Sequence, residues 1–335
     1  MLGLDPSISP RRFSGLRCAS PENDGRRTMT TAILVSILMT LVAASTPILL
    51  AALGELVTEK AGVLNLGVEG MMLCGAVAGF AVAFSTGSTM LGLVAAMAAG
   101  VATAMVFAVL TLSLTANQVA TGLALTIFGI GASSLIGAGF VGRTITRLGP
   151  VFPAALSEHP WLRAIFGHDI VVYLSLALVL GVSLFLRRTR PGLILRAVGE
   201  NDASAHAIGY PVIAIRYAAI AFGGALAGLG GAYFSLALTP MWADGLTAGR
   251  GWIALALVVF AAWRPGRLLL GAYLFGAVMT LELQAKAAGI TWLAPELLAM
   301  TPYLATVAVL TMMSLGRRSG RLNAPACLGK PFSAS

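Results

Sequence analysis

Charged side chains are scarce in this sequence: Asp, Glu, Lys and Arg make up 10% of 335 residues, against about 25% in an ordinary soluble domain. Apolar runs of about 20 residues recur along the chain, which excludes a soluble helical protein. The runs are continuous and do not alternate, which excludes an outer-membrane barrel. Cysteine is equally sparse. Cys18, Cys74 and Cys327 are far apart and match neither a metal-binding spacing nor a disulfide framework. Cys74 sits in an apolar run and reads as a small hydrophobe. The three histidines, His159, His168 and His206, fall in loops, and no His-x-x-x-His or Glu-x-x-His pair exists to build a metal centre. There is no Gly-x-Ser-x-Gly elbow and no phosphate-binding Gly-x-x-x-x-Gly-Lys-Ser/Thr loop, so the chain should neither catalyse a reaction nor bind ATP by itself. No cofactor is expected. A soluble basic face interleaved with aromatics is also missing, so the net charge of +9 is no footprint for nucleic acid. It reads as arginines that fix topology from the cytoplasmic side of a lipid bilayer.

What remains is an all-α polytopic membrane protein. Residues 1–28 hold five arginines and several prolines but no apolar run, so they are not a cleavable signal peptide. They read either as a disordered cytoplasmic extension or as sequence ahead of a true start at Met29. Residues 29–316 form the transmembrane domain and 317–335 a cytoplasmic tail. Spans are expected at about 31–53, 69–85, 89–112, 119–140, 170–186, 217–238, 251–263, 268–283 and 297–315. The basic segment 187–216, the Arg264-Pro-Gly-Arg267 turn and both termini are assigned to the cytoplasm. That assignment requires an even number of crossings before residue 187, and only five are visible. One crossing is therefore hidden, either in the broken region 47–70 or in the proline-rich segment 141–169, for about ten in all.

The segment Thr58-Glu-Lys-Ala-Gly-Val-Leu-Asn-Leu-Gly-Val-Glu-Gly-Met-Met-Leu73 interrupts the first two runs with Glu59, Lys60, Asn65 and Glu69. Ionisable groups at membrane depth are costly and face a protein interior or a water-filled path. Three glycines in the same stretch suit a broken helix. Asn65 and Glu69, four apart, share a face if the piece is helical, and either brace a discontinuous helix or line a path. Glu55 and Glu59 have the same spacing. Asn117 and Gln118 open the fourth run, with Thr121 four beyond Asn117. Asn117 could equally be a simple helix cap. Glu282 and Lys286 read as a surface pair. The basic loop contains Arg196-Ala-Val-Gly-Glu-Asn-Asp-Ala-Ser-Ala-His-Ala-Ile-Gly209. Asn201 or Asp202 can cap a short helix there, Ala203 to Ala207 propagate it, and Gly209 ends it. Such an alanine-surfaced helix suits a groove on a partner protein.

Four stretches carry a resemblance. The 58–73 segment resembles the signature of permease subunits in bacterial ABC importers for nucleosides and simple sugars. Arg196-Ala-Val-Gly-Glu-Asn201, followed by alanines and Gly209, resembles the loop with which those permeases contact their ATPase. Gly249-Arg-Gly-Trp-Ile-Ala-Leu-Ala256 resembles a third family segment, with Trp252 where Phe or Tyr is usual, and Ala116-Asn-Gln-Val119 resembles the start of an inner helix. The likeness covers about 30–315. It implies a type II importer permease fold of about ten helices in the inner membrane, paired with a second permease subunit. It further implies an ABC ATPase docked through Arg196, Gly199, Glu200, Asn201, Ala203, Ala207 and Gly209, and an extracytoplasmic substrate-binding lipoprotein. Transport would follow alternating access, with ligand transfer driven by unequal affinity of two states. An ion-coupled secondary transporter is the rival class. It would show inverted repeats, and none is evident here.

Overall fold

The computed structural model describes residues 21–153, 159–287, 300, 304, 307–308, 311 and 324–332. Within them the backbone is helical, with isolated β-bridges and no strand. The helices are α1 (Pro21–Lys60), α2 (Val68–Thr86), α3 (Thr89–Ala108), α4 (Gln118–Gly137), α5 (Pro160–Phe166), α6 (Ile170–Arg188), α7 (Arg190–Glu200), α8 (Asp202–Ala207), α9 (Val212–Tyr233), α10 (Arg250–Phe260) and α11 (Pro265–Ala287). A π-turn extends α3 to Ser113 and another extends α9 to Leu238. Short polar residues set the starts. Ser88 accepts from the Leu91 amide, and Asp169 Oδ1 accepts from the amides of Val171 and Val172. Each satisfies donors that the first turn leaves free.

Helix α9 is the centre of the bundle, packed against α1, α2 and α3. Its glycines make this possible. A methyl group added at Gly228 or Gly231 would overlap the backbone of α3 or α2, and one at Gly54 would meet Gly223 O of α9 at 2.8 Å. Small residues at such crossings let membrane helices approach to backbone contact. Large apolar side chains instead cover the outer surface: Ile127 and Leu135 of α4, Leu180 of α6 and Leu270 of α11 are more than half exposed. A contiguous apolar exterior of this kind is what hydrocarbon solvates.

Contacts define two ends. At one end lie Lys60, α7, α8, the start of α9 and the start of α4: Arg216 Nε donates to Ala61 O at 3.1 Å, and Gln118 reaches Lys330 O. At the other lie the ends of α4 and α9, where Ile145 N donates to Pro240 O and Leu148 N to Leu236 O. Ala32, Val35 and Met39 of α1 line a cavity there with Arg147, Gly167 and Asp169. Among the described residues seven helices are long and apolar enough to cross a membrane, and five of these precede α7. Among the described residues of 31–188 there is no sixth crossing: residues 61–67 form a non-helical connection, and the described part of 141–169 holds the short α5. Thr31 therefore lies at the end opposite α7 and α8, because α1 runs toward them.

Helix α10 also departs from expectation. It has 11 residues, about 16 Å at 1.5 Å per residue, and cannot cross a hydrocarbon core of about 30 Å. It is a half-helix, and the loop 239–249 supplies the rest of that crossing. The expected 297–315 span lies mainly outside the described residues.

Candidate functional site

The connection 61–67 leaves α1 through backbone bonds from Ala61 N to Val57 O, Gly62 N to Glu59 O and Val63 N to Thr58 O, but beyond Val63 its amides must be satisfied in another way. Side chains do this. Leu64 N donates to Gln118 Oε1 at 2.8 Å, Asn65 N to Glu55 Oε1 at 3.0 Å, and Gly67 N to Asn65 Oδ1 at 2.9 Å. Leu66 O accepts from Thr126 Oγ1 at 3.0 Å, and Ala61 O accepts from Arg216. Gly62 takes φ +88°, a conformation that favours glycine. The connection climbs along α4: a methyl at Gly122 would meet Leu66 N at 2.7 Å, and one at Gly70 would meet Leu125 O at 2.5 Å. It also climbs along α9. Arg216 lies at its foot, whereas a methyl at Gly231 would overlap Met72 and Ser235 Oγ bonds Ala76 O at 2.9 Å. Helix α2 thus begins beside the second half of α9, well inside the bundle.

Glu69 occupies the first turn of α2 and is 4% exposed. Its Oε1 accepts from Thr247 Oγ1 at 2.5 Å and Gly249 N at 2.9 Å, and its Oε2 accepts from Gly251 N at 2.6 Å. Gly249 is the N-cap of α10 and Gly251 lies in its first turn, with Thr247 just before them. One carboxylate thus sits at the positive ends of two helices, α2 through its own position and the half-helix α10 through the amides that donate to it. Anions are favoured at both. Gly251 is required for the approach, since a methyl there would meet Glu69 Oε2 at 2.6 Å. Of the two readings open for Glu69, bracing a discontinuous helix is the one this geometry supports. Asn65 does not share a helical face with it: Asn65 lies in the non-helical connection, where its side chain turns back onto Gly67 N and onto Met71 Sδ at 3.5 Å.

The other candidates divide. Asn117 caps α4, accepting from Ala120 N at 3.0 Å, and is exposed. Gln118 is buried and bridges Leu64 N to Lys330 O. Thr121 is half-buried, and its amide bonds Asn117 O at 2.9 Å. Glu59, one of the polar residues that interrupt the first two runs, lies in the protein interior. It is 1% exposed and accepts from Trp263 Nε1 at 2.5 Å. Glu282 and Lys286 form an ion pair of 2.7 Å on α11, partly exposed as a surface pair should be.

The 196–209 segment folds as two short helices. Arg196 reaches Leu186 O at 3.4 Å, and Gly199 is pressed against Lys60 O, where a methyl would overlap it. Asn201 caps α8 by accepting from Ser204 N at 2.9 Å, and Gly209 ends it at φ +96°. Glu200, Ala203 and Ala207 are exposed, and Ile208 is 76% exposed. The unexpected member is Arg216. It is fully buried, pairs with Asp202 of α8 at 3.0 Å and also holds Ala61 O. It thereby links the exposed helix to the foot of the connection. An arginine near a span boundary carries no local sign that it turns inward.

A cavity of about 1180 Å³ lies toward the opposite end, lined among others by Arg147, Asp169, Tyr233, Arg250 and Glu282. Tyr233 donates to Asp169 Oδ2 at 2.8 Å on its wall. Asn65, Glu69, Asn117, Gln118 and Thr121 do not line it.

Comparison with known proteins agrees with these words and their geometry. The chain is 43% identical over 314 residues to the "Putative glucose ABC transporter permease protein" of Haloferax volcanii, covering 87% of this chain and 95% of the relative. It is 31% identical over 300 residues to the guanosine ABC transporter permease protein of Bacillus subtilis, covering 85% and 92%. It is 29% identical over 281 residues to the nucleoside ABC transporter permease protein of Lactococcus lactis, covering 80% and 89%. Residues 36–315 match the family profile described as "Branched-chain amino acid transport system / permease component", and the chain belongs to that family of ABC transporter permeases.

Proposed function

We propose that this permease subunit forms part of the translocation path for a nucleoside or a simple sugar in an ABC importer. The observation that carries the reading is the joining of α2 and α10 at Glu69, which brings two family words together inside the bundle. The substrate class is supported by relatives named for glucose, guanosine and nucleosides. A broken helix pair held by side chains can change its arrangement without unfolding whole spans, as alternating access requires. ATP hydrolysis belongs to a separate ATPase subunit, which docks on α8 and the adjacent turn. A second permease subunit completes the path, and a substrate-binding lipoprotein delivers ligand at the opposite end. The protein resides in the cytoplasmic membrane, with α7, α8 and the segment 324–332 facing the cytoplasm.

Uptake is the test. Cells expressing the chain with its cognate ATPase and binding protein should accumulate labelled nucleoside or sugar, and cells lacking only this chain should not. The binding protein's affinities then separate the two classes. Uptake that persists with the ATPase inactivated would defeat the proposal.

A further inference from the structure

The segment 324–332 lies beyond every sequence word that pointed to transport, yet it is seated on three of them. Two turns fold it into a hook, Leu328 N to Pro325 O at 3.2 Å and Lys330 N to Cys327 O at 3.1 Å, with Gly329 at φ +74°. On one side it closes the last turn of α7: Cys327 N donates to Gly199 O at 2.9 Å, and Cys327 Sγ meets Glu200 O at 3.5 Å. On the other side Gly329 N donates to Gly62 O at 3.3 Å, in the α1–α2 connection. Lys330 O accepts from Gln118 Nε2 at 3.4 Å, at the start of α4. The Phe332 ring lies edge-on to His206 of α8, 5.5 Å between centroids, and 5.9 Å from the Arg216 guanidinium. Pro325 and Cys327 are buried.

Without the hook, the carbonyls of Gly199 and Glu200 at the end of α7 would be open acceptors of the kind water at a membrane surface satisfies. The fold does not need the hook to fill them. What the hook adds is a further link between the α7–α8 pair and the connection 61–67, beside the packing of Gly199 on Lys60 and parallel to the Asp202–Arg216–Ala61 chain. We infer that the segment 324–332 is a positioning element of the transport cycle: it ties the ATPase-facing helices to the broken helix, so that the two move together. The inference rests on the proposed docking at α8. Without the hook, α7 and α8 could follow the ATPase while the connection lagged behind.

The test is a chain ending at Asn323, reconstituted in proteoliposomes with its cognate ATPase, permease partner and binding protein. The ATPase should co-purify in full amount and hydrolyse ATP, while substrate moved per ATP falls by roughly five-fold, the size that changes along a coupling network bring. An unchanged ratio would make the hook passive, and rising uptake would make it inhibitory; either overturns the inference. Loss of the ATPase from the truncated chain would make the hook a docking surface, which also overturns it. Two milder variants keep the chain whole. Gly329→Pro removes the donor to Gly62 O and cannot hold φ +74°, and Phe332→Ala removes the ring. Both should lower the same ratio. Seating is read from maleimide labelling of Cys327 in a Cys18→Ser, Cys74→Ala background. Labelling should be slow with Phe332 and faster with Phe332→Ala, and fast labelling of both overturns the seating. Failure of the docking reading has a separate signature: an Ala203→Trp chain that assembles and transports normally.

Discussion

Glu69 shows how much one side chain can hold. Replacing it with leucine leaves Thr247 Oγ1, Gly249 N and Gly251 N without their acceptor. Buried donors left unpaired cost about 1–3 kcal/mol each. The expected outcome is a lower thermal midpoint in detergent as well as lost uptake, with Glu69→Gln intermediate because one oxygen still accepts. A Glu69→Leu protein of unchanged midpoint would show that these donors find other partners. Gln118→Leu should cost about 1–3 kcal/mol by stranding Leu64 N, whereas Asn117→Ala, at an exposed cap, should cost about 1 kcal/mol; the same melting measurement ranks the two. The caps at Asn117 and Asn201 were legible from the sequence because capping is local. The donors of Glu69 were not, since the nearest in sequence is 178 residues away. Trp263 on Glu59 and Arg216 on Ala61 were hidden for the same reason.

Among the elements, α8 and the connection 61–67 are the ones on which the proposed coupling rests. Helix α8 presents small exposed residues at Ala203 and Ala207, so a bulky residue there should disturb a partner and leave the fold intact. Ala203→Trp is expected to insert and melt normally while ATPase co-purification and uptake both fall. Normal co-purification would move the docking surface elsewhere. The short helix and its limits were readable in the sequence from Asn201 and Gly209. The broken character of 58–73 was readable too, from its polar residues and glycines. Two features of the elements were not. A 20-residue window reads the apolar segment after Gly249 as a crossing, but its length is filled by the half-helix α10 and the loop before it. The same window cannot tell a connection that climbs inside the bundle from a missing helix, because both interrupt an apolar run.

At the scale of the whole molecule, the ends found here make a topology that can be labelled. In a cysteine-free background, Ser88→Cys and Arg143→Cys should react with an impermeant external reagent, and Leu114→Cys and Lys330→Cys should not. Thr31→Cys should react as well, since α1 runs from the end opposite α7 and α8. Protection of Thr31→Cys together with reaction of Lys330→Cys would invert the arrangement. The carboxylate shared by α2 and α10 has a consequence for biogenesis. Its three acceptor contacts span 178 to 182 residues, so a ribosome that has delivered α2 to the membrane has not yet made the groups that Glu69 needs. Until Gly251 emerges, this acidic residue must wait beside the translocon or in water, and the first helices cannot close. Assembly is therefore gated from the far half of the chain. Nascent chains arrested before Thr247 should be recognised as incomplete and degraded, and those arrested well after Gly251 should be spared.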